Sequence, residues 1–300
     1  MKIAVCGGTG FIGSALTDYW LEAGHEMMIV TRRPPERAIS GRQPQYVSWN
    51  ELERDPQRIT GVDAVVNLSG ESLNQRWTKN AKLRIMQSRD DSIAALAKAI
   101  KQLDKKPEVV IQASAMSFYG TSETKTFDES SPHRPTDFPS TVVEQWEGAA
   151  EAFHDVRLVK LRISMVLGRD KGAFPLLKLP YLMGFGGRIG SGRQWTTWIH
   201  ITDMVRIVDL CLHDRSISGA VNSSAPNPVT NDDFGRTIAS VYHRPHWFPV
   251  PNFLIKAALG EMSVMVLEGQ KVIPKKLLDH GFEFQFPELR QALEDLRTKG

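Results

Sequence analysis

The sequence predicts an α/β fold, a doubly wound parallel sheet followed by a smaller C-terminal domain, and three observations carry that prediction. A strand, a glycine turn, a helix and a second strand fit within about thirty residues, the size of one strand–helix–strand unit. Apolar runs and helical periodicities keep alternating to about residue 165, which argues for parallel strands covered by helices on both faces. Beyond that point the texture changes to glycine-rich and proline-rich loops between short elements.

Taken in order, residues 2–6, KIAVC, form a short continuous apolar run. In residues 11–21, Ile12, Ala15, Leu16 and Tyr19 recur at helical spacing before Gly24, and a second apolar run, 27–30, follows. Residues 62–68 read as a strand, 89–103 as an amphipathic helix capped by Ser88, and 109–115 as another strand. Residues 142–153 then read as a helix and 156–163 as a strand. In the second half, GFGG at 184–187 and GSG at 190–192 are loop-like, and prolines cluster at 226, 228, 245, 249 and 251. A helix at 204–212 is expected to start from a cap at Thr202 or Asp203. The last helix, 288–296, places Leu289, Ala292, Leu293 and Leu296 on one face. These elements divide the chain into a first domain at 1–165, with a return at about 198–220, and a smaller one at 166–300.

Composition narrows the partners. The 300 residues carry 37 Lys and Arg against 34 Asp and Glu, and the basic residues are scattered rather than interleaved with aromatics, so no nucleic-acid partner is expected. Two cysteines, Cys6 and Cys211, lie far apart without CxxC or Cys/His spacing, which predicts neither a disulfide framework nor a metal site. The most apolar later segment, 253–267, is broken by Lys256 and Glu261 and is too short to cross a bilayer of about 30 Å. With no signal-peptide pattern in the opening residues, a cytoplasmic protein without a membrane partner is expected.

The stretch AVCGGTGFIG, residues 4–13, fits two registers, Gly8-x-Gly10-x-x-Gly13 and Gly7-x-x-Gly10-x-x-Gly13. Either gives a tight turn, close backbone approach to a pyrophosphate and a helix N-terminus that attracts its charge. Because it follows a predicted strand and opens a predicted helix, it reads as a Rossmann-type dinucleotide turn, with Gly7, Thr9, Gly10, Phe11, Ile12 and Gly13 as cofactor-binding residues. Where an acidic residue would hold the ribose hydroxyls of NAD, the second strand ends in Thr31-Arg32-Arg33. An acid would repel a 2′-phosphate, whereas arginine pairs with it through two parallel hydrogen bonds, so NADP(H) is the expected cofactor. A solvated basic loop ahead of Pro34-Pro35 is the alternative reading. Leu68, Ser69 and Gly70, within NLSGE, can admit the adenosine and its ribose at a strand end, although a plain strand-to-loop turn would look similar.

Together, GGTGFIG at 7–13, NLSGE at 67–71, SFYG at 117–120 and WIHITD at 198–203 resemble the extended short-chain dehydrogenase/reductase superfamily, which includes sugar-nucleotide epimerases and dehydratases. More narrowly, GSGRQWTTWIHITD and LEGQKVIPKKLLDHGFEF at 267–284 resemble an epimerase-like subgroup with its own short C-terminal domain, here about 250–300. The resemblance implies NAD(P) in the first domain, a small polar substrate in the cleft with the second, and a homodimer. It also implies that Arg89 lies near the cofactor and that the segment ending at Val166 brings backbone groups to the nicotinamide carboxamide.

The superfamily's usual catalytic set is a Ser or Thr after the fifth strand and a Tyr-x-x-x-Lys on the next helix, where Lys lowers the Tyr pKa for proton exchange. This chain departs from it. Its tyrosines 19, 46, 119, 181 and 242 are followed four positions on by Ala23, Asn50, Glu123, Phe185 and His246. With Glu147 aligned to the family's helix glutamate, the pair maps near Pro139 and Val143, and the serine position falls on Ala115, beside Ser114. The remaining catalytic candidates are Tyr119, Ser117 and Glu147, with Glu144 and His200 nearby. Each also has a structural reading: a turn serine, a histidine joining two domains, Asp203 as a cap, Trp195 and Trp198 as packing rather than a substrate wall. Lys271 receives no role. Two functions follow, an NADP-dependent oxidoreductase or epimerase with an atypical site, and a non-catalytic NADPH-binding regulator or sensor.

Overall fold

The structure is a computed structural model that describes residues 1–35 and 43–298. The chain begins with β1 (Lys2–Cys6), α1 (Phe11–Glu22) and β2 (Glu26–Thr31), then β3 (Gln45–Ser48), α2 (Trp49–Arg54) and β4 (Ala64–Asn67). It continues with α3 (Lys79–Lys101), β5 (Val109–Ala115), a short β6 (Thr126–Phe127), α4 (Phe138–Ala149) and β7 (Arg157–Ile163). Next come β8 (Met165–Leu167), α5 (Phe174–Leu182), β9 (Trp195–Thr196), β10 (Trp198–His200), α6 (Ile201–His213) and β11 (Gly219–Ser223). The last stretch holds β12 (Val229–Thr230), α7 (Asn231–Tyr242), α8 (Asn252–Leu259), α9 (Val264–Leu267), β13 (Lys271–Val272), α10 (Lys275–Asp279) and α11 (Leu289–Thr298).

Seven of the strands form one sheet in the order β11-β7-β5-β4-β1-β2-β3, and every pairing in it is parallel. Strands buried on both faces must be apolar on both faces, which is why KIAVC and its partners read as continuous runs. On one face Ile3, Val5, Val66, Ile111 and Leu161 pack with residues of α1 and α6; on the other Ala4, Cys6, Val65 and Val110 meet α3 and the turn ending at Phe153. Each such fully buried Val, Leu or Ile contributes about 1.5–3 kcal/mol.

The order of strand addition reverses between β1 and β4, and this crossing point opens at the strands' C-terminal ends, where α/β sheets bind ligands. A second cluster forms from residues of α5, α7 and α11, with Phe174, Tyr181, Phe234, Ile238, Leu293 and Leu296 at its centre. The tail joins both bodies of packing: Leu277 of α10 enters the sheet's core, β13 pairs with β6, and all four predicted inward positions of α11 are buried.

Several boundaries move for identifiable reasons. The helix expected at 89–103 begins at Lys79, because Thr78 accepts from the Ala81 amide and Ser88 is not a cap. Ser88 Oγ accepts instead from the Glu71 amide and donates to Ile85 O. The helix expected at 142–153 begins at Phe138, capped by Asp137, and its last turn tightens into a 3₁₀ turn. α6 is capped by His200, not by Thr202 or Asp203. The edge elements β3 and α2 had no expectation attached.

Candidate functional site

The cleft at the crossing point has a volume of about 440 Å³, within the range of small-molecule sites. Its floor is the turn between β1 and α1. Gly7 takes φ +78°, and its carbonyl accepts from the Gly10 amide at 3.0 Å. A Cβ on Gly13 would lie 2.3 Å from Gly7 O and 2.7 Å from Gly8 Cα, so α1 approaches the turn as closely as only glycine permits. Gly10 caps α1 without any side-chain hydrogen bond. The first-turn amides are therefore directed at the cleft with no capping side chain in competition, a ready anion site.

One wall is the end of β2, where Thr31 and Arg32 line the cleft and Arg33 is exposed beside them. Trp49 and Glu53 of α2 face it. The opposite wall is Leu68, Ser69, Gly70 and Glu71 after β4, and α3 supplies Ser88, Asp91, Ser92 and Ala95. Those four α3 positions fall at i, i+3, i+4 and i+7, one helix face of small and polar side chains. That spacing was present in the sequence, but small and polar side chains on a helix face look the same whether they line a cleft or face solvent; α2 carried no comparable signal. The fit to a dinucleotide is thus good at the pyrophosphate turn and at the arginine end.

Other expected cofactor residues lie around this cleft rather than on its wall. Phe11 packs against the loop after β8, where a Cβ on Gly168 would sit 2.3 Å from its ring, so the glycines of that loop brace the turn. Ile12 packs on the sheet's core and Val166 pairs with Ile199 inside it. Arg89 stands behind Gly70, donating to Glu71 O at 3.1 Å and Ile85 O at 2.7 Å, with its guanidinium 4.7 Å from the Trp146 ring. Burial pushes its pKa down to about 10 against the opposing pull of Glu71.

The catalytic candidates converge on a different place, a buried polar network under the ends of β5, β7 and β11. Arg162 grips Glu147 with two bonds, Nε to Oε1 at 2.8 Å and Nη2 to Oε2 at 2.9 Å. Ser114 donates to the same carboxylate at 2.6 Å. Arg162 Nη1 donates to the Tyr119 hydroxyl at 2.8 Å, and Tyr119 in turn donates to Asn222 Oδ1 at 2.7 Å. Asn222 Nδ2 reaches the tail at Ile273 O, and its amide donates to Glu129, which also accepts from the Lys276 amide. Tyr119 is fully buried, and that burial pushes its phenol up to about 12, outweighing the neighbouring guanidinium. A tyrosine so placed is a hydrogen-bond donor, not a proton reservoir at neutral pH.

Ser117 is the exception, half-buried and making only a long 3.4 Å contact with the carbonyl of Pro139. Pro139 and Val143, where the family's pair would stand, are buried and carry no titratable group. Glu144 lies outside the network, exposed, 3.6 Å from His133. His200 is buried against Phe286 with Nε2 3.4 Å from Asp295, so it joins α6 to α11. Asp203 accepts from the amides of Gln285 and Phe286 and from Arg206. Trp198 is core, whereas Trp195 is half-buried, donates to Glu123 O and carries the Lys271 ammonium 4.6 Å above its ring. Among the described residues no group of three or more His, Cys, Asp or Glu could hold a metal, and no helix is long and apolar enough to cross a membrane.

Fold and cleft together define a Rossmann-type nucleotide-binding protein. The family model described as NAD dependent epimerase/dehydratase family matches residues 3–222, and one described as a domain of unknown function (DUF1731) matches 250–296. The chain belongs to the NAD dependent epimerase/dehydratase family. It is 41% identical over 299 residues to the epimerase family protein YfhF of Bacillus subtilis, covering 99% of this chain and 98% of that one. To the mouse epimerase family protein SDR39U1 it is 39% identical, with 99% of each covered. A crystal structure of human SDR39U1 (isoform 2) with NADPH matches it with a TM-score of 0.90 and 37% identity over 99% of both chains.

Proposed function

We propose that this chain holds NADP(H) and acts as an oxidoreductase or epimerase on a small polar substrate without its family's Tyr-x-x-x-Lys pair. The observation that carries the cofactor part is Arg32 on the cleft wall at the end of β2, where the strand itself offers a 2′-phosphate a guanidinium in place of a carboxylate. The solved relative carries NADPH, which supports the same reading. When bound, the cofactor supplies hydride exchange. The chain's own groups supply the rest: α1's amides and the Gly7–Gly10 turn for the pyrophosphate, Arg32 and Arg33 for the 2′-phosphate, and the α3 face for the adenosine. Proton transfer falls to groups other than Tyr119 and Glu147, and Ser117 and Glu144 are the residues to substitute first.

A second reading, an NADPH-binding regulator or sensor, is favoured by one specific observation: Tyr119, Glu147 and Ser114 are all committed to one buried network. Titration of NADPH against NADH, for the wild type and Arg32→Ala, tests the cofactor assignment. NADPH is expected to bind roughly tenfold or more tightly, a difference of about 1.4 kcal/mol, and Arg32→Ala to remove most of that preference. Equal affinities in the wild type would overturn it.

A further inference from the structure

The surface of the second body of packing is unusually apolar. In α5 the inward residues Phe174 and Tyr181 are buried, yet Leu176, Leu179 and Met183, at i, i+3 and i+7 along its outer side, are exposed, Leu176 by 62%. A helix apolar on both sides is expected to be covered on both. The strip continues through Leu182 and Phe185 to Trp247 and Phe248: the Phe185 and Phe248 rings meet edge to face at 6.2 Å, and the Trp247 indole donates to Gly184 O. It ends in α8, which buries none of its own residues and leaves Phe253 68% exposed. Eight large side chains, each about half exposed, give on the order of 1,000 Å², above the 300–600 Å² of a typical monomer's largest apolar patch.

Charge decides what covers it. Residues 174–188 and 243–259, which build the strip, contain the exposed cations Arg188, Arg244 and Lys256 and not one Asp or Glu, while Lys178 turns inward to donate to Arg169 O. The neighbouring carboxylates are already held: Asp232 by Arg236 at 2.7 Å and His246 at 2.9 Å, and Glu261 by Lys82. A second copy of the chain docking face to face would set this cationic rim against itself, since a two-fold interface uses the same patch on both sides and like charges oppose it. An anionic lipid surface has the opposite charge, and its interface accepts exposed Trp, Phe and Leu beneath Lys and Arg.

We propose that this face, α5 with the 183–188 loop and the 247–256 segment, lies on the surface of an anionic bilayer without crossing it. The inference is independent of the cofactor assignment. Flotation of the full chain with vesicles tests it. Binding to phosphatidylcholine vesicles containing phosphatidylglycerol should be roughly tenfold or more stronger than to phosphatidylcholine alone and should fall steeply with added salt. The paired change Leu176→Ser with Phe253→Ser, and separately Arg244→Glu with Lys256→Glu, should each abolish it. These side chains are exposed, and unchanged circular dichroism and NADPH titration would show that the fold survives. Absence of flotation, or equal binding to both vesicle types, would overturn the proposal. So would a lipid-free dimer, seen by sedimentation velocity, that Leu176→Ser with Phe253→Ser dissolves, because a second copy would then cover the face.

Discussion

Replacing Tyr119 by Phe separates a structural tyrosine from a catalytic one. The change removes only the hydroxyl, and in this structure that hydroxyl donates to Asn222 and accepts from Arg162. Both partners are buried, so each is left with an unmet polar atom at about 1–3 kcal/mol, giving a loss of about 2–6 kcal/mol in unfolding free energy. Urea unfolding followed by tryptophan fluorescence measures it, with NADPH affinity titrated in parallel and expected to stay unchanged. The burial of the same hydroxyl sets an alkaline signature. Burial raises the phenol from its ordinary 10 to about 12, so the folded state retains a proton that the unfolded state releases. That stability is complete below pH 10 and is lost as the pH rises toward 12, about 2–3 kcal/mol in all. Tyr181 is raised to about 12 as well, so Tyr119→Phe should flatten the alkaline loss rather than abolish it. If Tyr119→Phe keeps wild-type stability and eliminates a measured turnover instead, the network reading fails.

Other expectations are shorter to state. Gly13→Ala forces a Cβ to within 2.3 Å of Gly7 O, a backbone atom that cannot swing away, and should weaken NADPH binding by roughly 100-fold, or about 2.7 kcal/mol. Gly10→Ala, whose Cβ would be 3.2 Å from the same oxygen, should weaken it far less, and calorimetric titration of the two variants checks the ranking. Asp203→Ala should cost about 2–5 kcal/mol by leaving the Gln285 and Phe286 amides without an acceptor, and limited proteolysis should then cut the tail ahead of α11 first.

The parallel sheet was legible because burial on both faces leaves a sequence trace, an unbroken apolar run, and the glycine turn because only glycine fits where Gly13 meets Gly7. The helix capped by Thr78 was not, since its first turns carry Lys79, Asn80, Lys82 and Arg84 on a solvated side and show no apolar run. The short β3 and α2 left an equally faint pattern, although they supply Trp49 and Glu53 to the cleft. What sequence could not show at all was the pairing of Arg162 with Glu147 and Tyr119. These residues come from three different elements, and nothing in local spacing says that a strand arginine will turn inward. The same holds for Gly269, whose Cβ would fall 2.0 Å from Trp195 O: a tail glycine explained only by a backbone 74 positions away.

Among the described residues, the cleft and the buried network share no residue and no hydrogen bond. The cleft is built at the ends of β1, β2 and β4, with α2 and α3 around it, while the network hangs from β5, α4, β7, β11 and the tail. Sites without shared partners behave additively, within about 0.3–0.5 kcal/mol. Arg32→Ala should therefore change NADPH affinity by the same factor in the wild type and in a Tyr119→Phe background, and Tyr119→Phe should cost the same stability in either. A double-mutant cycle of NADPH titrations and urea unfolding measures both. A coupling well above about 0.5 kcal/mol would mean that the network senses the cofactor, and the separation between holding NADP(H) and stabilising the fold around it would have to be abandoned.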